Sequence, residues 1–450
     1  MEEINWKGRM LNIIKSKEHP IGIVGLGYVG LPLAVAFANK GYKVVGVDVN
    51  KKRVSEVNAG MSPITDVKNA SLQRLVKKGL IKATDNHAEL QKTFVIIICV
   101  PTPLNKNKQP DLSYVEDTAS AVGRCMYKGS LVVLESTSYP GTTRDVVYPI
   151  IERSGKDKKF FLAYSPERVD PSSRLFTLRN TPKLVAGMDD DSTEVAVELY
   201  SAIVKKVVRV SRPEIGETAK VFENVFRSVN IGLVNELAMM CEKLGISVWE
   251  VLEAAETKPF GFMRFSPSPG VGGHCIPIDP YYLDQKATEV GFHSRFIRVA
   301  MDINEQMPNH VVEGIARALD LRQGKALSVS TILVLGVAYK QNVADTRESP
   351  SLEVLKKLYE RGATVRYYDS FVPYLPEMKM TSVNRRDLLE NIKEVDCVVM
   401  ATNHSEFTPI WRHIVDKAKL VYDARGWTYT LKDYKLANPQ SLQNVVRLGE

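Results

Sequence analysis

Gly25-Leu26-Gly27-Tyr28-Val29-Gly30 follows a short apolar run and opens a helix-like segment. In such a turn the first glycine permits the tight bend. The second lets a pyrophosphate approach the backbone, and the third lets helix and strand pack. The phosphates then sit at the helix N-terminus, where N–H groups and the dipole favour anions. Tyr28 and Val29 share this turn. Asp48 closes the next apolar run, 18 residues after Gly30. Its carboxylate can accept from both ribose hydroxyls and would repel a 2′-phosphate, which argues for NAD over NADP. Strand, turn, helix, spacing and acid together carry a specificity that a lone GxGxxG lacks.

A different chemistry is available in Gly270-Val271-Gly272-Gly273-His274-Cys275. Glycines bring a backbone close to something, and a thiol ends the run. A thiolate attacks carbonyls well, but a thiol with a pKa of about 8.5 is only slightly ionised at neutral pH. A nearby cation or helix N-terminus would raise that fraction. Buried packing is the plain alternative for Cys275. A metal site at His274 and Cys275 lacks companion ligands at suitable spacing. Asp279-Pro280 reads as N-cap and N1 of a helix running to about Val290, so capping alone is a sufficient role for Asp279. Lys220, Asn224 and Arg227 lie at i, i+4 and i+7, on one face of a largely apolar helix. That stripe suits an anion or a developing oxyanion; a solvated stripe is the alternative. Val100-Pro101-Thr102-Pro103 and Glu135-Ser136-Thr137 end two strands, where ligands of open α/β sheets bind. Both also read as simple turns.

Short apolar runs must position these groups. They are Ile21–Leu26, Val44–Asp48, Phe94–Val100, Leu131–Thr137, Phe161–Tyr164, Lys183–Gly187 and Val207–Val210. Their continuous rather than alternating character predicts parallel strands buried on both faces. From Glu214 to Gly245 the chain reads as one long helix ending on a C′ glycine. More helix follows, broken by the Pro/Gly-rich stretch Ser266–Pro280. Thr331–Tyr339, Thr364–Asp369, Cys397–Thr402 and Leu420–Asp423 then repeat the α/β pattern. The expected fold class is α/β: two Rossmann-like doubly wound domains joined by a long central helix and a helical connector domain. The expected division is an N-terminal extension over 1–20, an NAD-binding domain over 21–212, a central helical domain over 213–325 and a second Rossmann-like domain over 326–450. Trp6, Met10, Ile13 and Ile14 predict a short surface helix in the extension. The turn Gly336-Val337-Ala338-Tyr339 resembles the first one, with Ala in place of the glycine that admits a pyrophosphate. Chance similarity of two strand ends explains that equally well.

The 450 residues are 44% hydrophobic and 25% charged, as in ordinary soluble enzymes. A net charge of +8, without any basic run, fits anionic small molecules and argues against nucleic acid. Five scattered cysteines, without a CxxC pair, argue against a disulfide framework and suit a reducing cytoplasm. The first 20 residues lack the apolar core of a signal peptide, and no run is long enough to span a membrane.

With Gly25–Gly30, Lys220/Asn224, Gly272–Cys275/Asp279 and Tyr339–Arg347 in this order, the sequence resembles the nucleotide-sugar 6-dehydrogenases of the UDP-glucose/GDP-mannose dehydrogenase superfamily. The resemblance covers essentially everything after residue 20. Thr257–Phe262 and Gly273–Pro280 are most similar to UDP-N-acetylglucosamine 6-dehydrogenases. The resemblance implies oxidation of the sugar C6 hydroxymethyl to a carboxylate, with two NAD per sugar. It implies that Cys275 attacks the aldehyde-level intermediate and later carries a thioester. Lys220 and Asn224 would stabilise the oxyanions. Asp279, with a water held by Thr137, would assist the first proton removal, with Lys220 as the competing base. Glu167 would help water hydrolyse the thioester. Glu167, Arg168, Val169, Lys220, Asn224 and Arg227 would line the sugar-nucleotide site. So would Arg264, Phe265, Ser268 and Gly272 of the glycine loop. Tyr339 and Lys340 would contact the nucleotide. Arg53 would sit beside the adenosine ribose, and Pro101, Thr102, Thr137 and Arg347 would complete the cofactor site. Ser268 departs from the glycine usual in acetamido-sugar enzymes, which bears on the choice of hexose. The resemblance also implies a homodimer or higher homo-oligomer through the long helix. A two-electron β-hydroxyacid dehydrogenase shares the domain plan but has no need of Cys275. A non-catalytic NAD or UDP-sugar sensor has no need of Lys220, Cys275 and Asp279.

Overall fold

The first apolar run, Ile21-Gly22-Ile23-Val24, is buried at every position and forms strand β1 (Ile21–Val24). A strand covered on both faces has no polar side to alternate, hence its continuous hydrophobicity. The computed structural model describes residues 5–64, 66–156, 158–169, 175–430 and 442–450. They fall into two compact units, one within 1–223 and 281–291, the other within 224–280 and 292–450. The first four residues of the expected extension lie outside the described residues.

The first unit is built on eight strands: β1, β2 (Val44–Val47), β3 (Ile81–Thr84), β4 (Val95–Ile98), β5 (Ser130–Leu134), β6 (Phe160–Tyr164), β7 (Lys183–Gly187) and β8 (Val207–Arg209). Their order is β3-β2-β1-β4-β5-β6-β7-β8. Ile21 of β1 lies opposite Val44 on one side and Val95 on the other. The strand order therefore reverses between β1 and β4, the switch point outside which such sheets bind ligands. Two features differ from expectation. β6 and β7 run antiparallel, Ala163 facing Gly187. A parallel pair needs a crossover, usually helical, and the described residues between these strands hold no helix. β3 was not expected: Ile81-Lys82-Ala83-Thr84 is a half-exposed edge strand, and Lys82 breaks its apolar run.

Around this sheet lie α1 (Trp6–Ser16), α2 (Gly30–Asn39), α3 (Lys51–Asn58), α4 (Asn69–Lys77), α5 (Ser113–Cys125), α6 (Tyr148–Gly155) and α7 (Asp190–Ser201). α1 is more than a surface helix. Met10 and Ile14 are buried in the unit's core, and Lys7 bridges Asp191 and Glu194 of α7 at 2.9 Å each.

The long helix α8 (Pro213–Leu244) ends where Gly245 takes a φ of +68°. The second unit takes its part from Asn224 onward, with α9 (Val248–Glu256) and α11 (Arg295–Gln323). α10 (Asp279–Glu289) starts in the second unit and passes to the first after Pro280. Residues 257–278 form neither helix nor strand. The second sheet holds β9 (Thr331–Leu335), β10 (Thr364–Tyr368), β13 (Cys397–Met400), β14 (Val421–Asp423) and β15 (Val445–Arg447). β11 (Tyr374–Leu375) and β12 (Met380–Thr381) pair separately as a small hairpin. The sheet order is β10-β9-β13-β14-β15, parallel throughout. α12 (Pro350–Glu360), α13 (Leu388–Glu394), α14 (Trp411–Lys417) and α15 (Trp427–Thr430) accompany it. The end of the chain closes on α9: Trp249, fully buried, donates from Nε1 to the Leu448 carbonyl at 2.9 Å.

The two first turns are built alike. A Cβ on Gly25 would lie 2.4 Å from the Cys99 carbonyl oxygen, and one on Gly336 would lie 2.4 Å from that of Thr402. Asp48 Oδ2 accepts from Leu26 N at 2.8 Å; Asp369 Oδ2 accepts from Val337 N at 2.8 Å and Ala338 N at 3.1 Å. Asp369 is consumed internally, because His404 Nε2 lies 3.0 Å from the same oxygen and Phe371 N and Val372 N bind the other.

Candidate active site

In the first turn the three glycines meet different surroundings. A Cβ on Gly30 would lie 1.8 Å from the Gly25 carbonyl oxygen, so the third glycine is a packing requirement. A Cβ on Gly27 would meet nothing within 4 Å, leaving the backbone open to approach. Asp48, 5% exposed, accepts from Leu26 N, from Asn50 N at 2.9 Å and from Arg53 Nη1 at 2.9 Å. A carboxylate has about four acceptor positions. Ribose hydroxyls at Asp48 therefore share it with Arg53, whose side chain is 35% exposed. Tyr28 is exposed and Val29 half-buried at the start of α2. Past β4, Pro101 is exposed and Thr102 half-buried, its carbonyl accepting from the Tyr282 hydroxyl at 3.0 Å. Past β5, Ser136 Oγ donates to the Val100 carbonyl at 2.7 Å and fixes the strand end that carries Thr137. These residues gather at the carboxyl ends of β1, β2, β4 and β5. The open cradle at Gly27 and the buried acid fit a dinucleotide.

Glu167 follows β6 in the same unit. Its Oε1 accepts from Arg168 N at 2.7 Å and Val169 N at 2.8 Å, and its Oε2 lies 3.5 Å from Lys183 Nζ. Burial pushes this carboxyl up, but Lys183, the two backbone N–H groups and Lys220 outweigh it and hold it below its usual range. The Arg168 guanidinium is held by Glu223 and, at 3.0 Å, by the Pro182 carbonyl. Lys220 is half-buried on α8.

The second unit holds the thiol. Cys275 is half-buried with Sγ 2.9 Å from His274 Nδ1, close enough for the imidazole to take its proton. Asp279 N donates to the Cys275 carbonyl at 2.7 Å. Asp279 is the first residue of α10 and 2% exposed, and Asn224 Nδ2 donates to its Oδ2 at 2.5 Å. Asn224 is 7% exposed, whereas Arg227 is exposed. Arg264 pairs with Glu256 at 2.6 Å, and the Phe265 ring meets Phe226 edge-on. Ser268 is buried: its N–H donates to Asn235 Oδ1 at 2.9 Å and its hydroxyl donates to the Gly270 carbonyl at 2.8 Å. This residue clips the glycine loop from inside.

The glycines of that loop are needed by a neighbour remote in sequence. A Cβ on Gly272 would lie 2.9 Å from Tyr339 Cβ, and one on Gly273 would lie 2.7 Å from the Tyr339 ring. Gly273 N donates to the Arg347 carbonyl at 3.1 Å. Arg347 pairs with Asp345 at 2.6 Å. Burial pushes the Asp345 carboxyl up, but Arg347 outweighs it and holds it low. Lys340 is half-buried beside Tyr339. Glycine loop, Cys275, Tyr339 and Arg347 thus come together in one unit.

Three residues that contact the candidate groups or stand directly behind them were not singled out from the sequence. His274 was weighed only as a metal ligand, although it adjoins the thiol. Lys183 and Glu135 were read as strand ends; a lysine opening a fully buried strand was the available signal. Among the described residues, no group of three or more His, Cys, Asp or Glu converges to hold a metal ion. No helix among them is long and apolar enough to cross a membrane.

Models of the UDP-glucose/GDP-mannose dehydrogenase family match in series: its NAD binding domain over residues 19–204, its central domain over 214–306 and its UDP binding domain over 333–429. The chain is 36% identical over 420 residues to a UDP-N-acetyl-D-mannosamine dehydrogenase of Methanococcus maripaludis, covering 90% of this chain and 92% of the relative. It is 35% identical over 398 residues to a UDP-N-acetyl-D-glucosamine 6-dehydrogenase of Pseudomonas aeruginosa, covering 87% and 92%. The solved UDP-D-ManNAc dehydrogenase of Pyrococcus horikoshii superimposes with a TM-score of 0.84 at 32% identity, covering 96% of this chain and 99% of that one.

Proposed function

From a chain that belongs to the UDP-glucose/GDP-mannose dehydrogenase family and is an NAD-dependent UDP-sugar oxidoreductase, we propose oxidation of the C6 hydroxymethyl of UDP-N-acetylglucosamine to the uronic acid. The observation that carries the four-electron course is the Cys275 thiol beside the His274 imidazole, with the buried Asn224–Asp279 pair in the same unit. NAD, when bound, accepts an electron pair at each of two oxidations. Asp279 assists removal of the C6 hydroxyl proton, with Lys220 as the competing base. Cys275 thiolate then adds to the aldehyde carbon, and Asn224 and Lys220 stabilise the oxyanion of the thiohemiacetal. The second oxidation leaves a thioester on Cys275. Glu167 takes a proton from the attacking water, and the C–S bond breaks to release the acid and the thiol.

Arg168, Val169, Arg227, Arg264, Phe265, Tyr339 and Lys340 are assigned to the sugar nucleotide, and Arg347 to the cofactor. A second reading, UDP-N-acetylmannosamine, is favoured by relatives carrying that name. The test is NADH production on UDP-N-acetylglucosamine, UDP-N-acetylmannosamine, UDP-N-acetylgalactosamine and UDP-glucose. The expected result is two NADH per sugar, fastest on the first. One NADH per sugar, or equal or better activity on UDP-glucose, overturns the reading. Acid formation by Cys275→Ala at the normal rate would remove the covalent route.

The domain division 1–20, 21–212, 213–325 and 326–450 is proposed with this function. A homodimer is proposed from the long helix, where Phe226, Leu233, Met240 and Leu244 are 43%, 62%, 53% and 64% exposed at heptad-like spacing. The scattered cysteines support a cytoplasmic setting.

A further inference from the structure

Three titratable side chains stand behind Glu167 with no role in the reaction as assigned. Lys183, the first residue of β7, is 3% exposed; Glu135, just past β5, is 1% exposed; Tyr200, on α7, is fully buried. The Lys183 ammonium donates to Glu135 Oε2 at 2.8 Å and lies 3.5 Å from Glu167 Oε2. The Tyr200 hydroxyl donates to the other Glu135 oxygen, and its ring centroid is 5.3 Å from Lys183 Nζ. All four residues belong to one compact unit.

We propose that Lys183 is a positioning residue for Glu167, and that Glu135 and Tyr200 serve to keep Lys183 charged and aimed at that carboxylate. The inference rests on the reading of Glu167 as the group that takes a proton from the hydrolytic water. A buried ammonium without a counter-charge loses its proton, and a buried carboxylate gains one. Glu135 supplies the counter-charge at a depth where solvent cannot. Stability alone does not call for such a pair, since well-packed apolar residues often replace buried ion pairs without loss. Glu167 needs the charge: its Oε1 is filled by two backbone N–H groups, and its Oε2 faces Lys183. The side chain keeps 17% of its surface toward solvent, enough to meet a water. Other groups act on it as well. Lys220 of α8 favours its ionised form, while Glu135 and the Cys99 thiol past β4 lie close by in the same cluster. The Arg168 guanidinium is turned to Glu223. Without Lys183, burial dominates at Glu167 and its proton is held to higher pH.

The test measures acid release against pH, together with KM for the UDP-sugar. Lys183→Met combined with Glu135→Gln removes both charges of that pair at once, so that neither is left buried without the other. Lys183→Gln, which retains an amide donor, serves if the double variant does not fold. In either, KM is expected within threefold of wild type. The acid limb of the kcat profile is expected to move up by one pH unit or more, so that kcat measured on that limb falls tenfold or more while kcat well above it changes little. Lys183→Arg is expected to keep the wild-type limb. An unchanged profile overturns the proposal, and so does a uniform drop at all pH with the limb unmoved. Glu167→Gln separates the two claims. If that variant releases acid normally, the reading of Glu167 fails; if it does not, while the Lys183 variants leave the limb in place, only the role of Lys183 fails.

Discussion

Gly27→Ala and Gly30→Ala separate cofactor binding from folding within one turn. At Gly27 the added methyl meets nothing within 4 Å, and the backbone is outside the left-handed region. A compatible Gly→Ala exchange changes stability by only about 1 kcal/mol or less, chiefly through the unfolded chain. The methyl does occupy the space through which a pyrophosphate reaches the backbone. NAD affinity is therefore expected to fall at least tenfold, a loss of about 1.4 kcal/mol. At Gly30 the methyl would lie 1.8 Å from the Gly25 carbonyl oxygen, about half the ordinary contact distance of 3.4 Å. The neighbour is backbone at the end of a central strand, so it yields only if α2 leaves the sheet. Overpacking of this kind costs about 3 kcal/mol, or about 6–12 °C in Tm for a unit of this size. Thermal unfolding of both variants without cofactor, and NAD titration of Gly27→Ala by calorimetry, supply the numbers. Wild-type NAD affinity in Gly27→Ala would refute the role of the turn. A Tm loss in Gly27→Ala matching that of Gly30→Ala would refute the spatial reasoning.

Asn224→Ala removes a buried amide donor that holds Asp279; acid formation is expected to slow by about 3 kcal/mol, or on the order of a hundredfold, and a loss below threefold in kcat would exclude an oxyanion role. Glu217 is fully buried and accepts from Gly141 N and Thr143 N, and burial pushes its carboxyl up to about 7, its hydrogen bonds offsetting only part of this. Its folded value lies above the ordinary one near 4.5, so its contribution to stability is present below pH 4.5 and is lost as pH rises through about 7. The Tm of wild type relative to Glu217→Gln should accordingly fall between pH 5 and 8, and a pH-independent difference would contradict the assignment. Trp249→Ala empties a fully buried site and leaves the Leu448 carbonyl without its indole donor; about 3–5 kcal/mol of stability should be lost, and a denaturant midpoint close to wild type would show that α9 does not anchor the chain end.

Much of this protein was legible in one dimension because its strands are buried on both faces. Ile21–Val24, Val95–Ile98 and Ser130–Leu134 are apolar or small at every position, so burial writes itself directly into residue type. The cofactor turn was legible for a related reason: only glycine tolerates a carbonyl oxygen 2.4 Å or 1.8 Å from where a Cβ would stand. The order of the family's motifs was equally local. Two of the four edge strands were not legible. β3 carries Lys82, and β15 has three residues, too short for periodicity to register. The direction of β7 depends on the path of the chain after β6 rather than on the residues of the strand.

Tertiary structure decided which side chains serve one another. Asp48 shares its carboxylate with Arg53, whereas its counterpart Asp369 is taken up by His404 and four backbone N–H groups. Gly273 is a glycine because the Tyr339 ring, more than 60 residues away, lies against it, and Gly272 because the Glu348 carbonyl and Pro350 do. Ser268 turns its hydroxyl inward to Gly270. Lys183 looked like the start of a strand and stands between two carboxylates. Periodicity records whether a residue faces water or core. It holds no information on which distant charge shares that core, because that pairing exists only once the chain has folded.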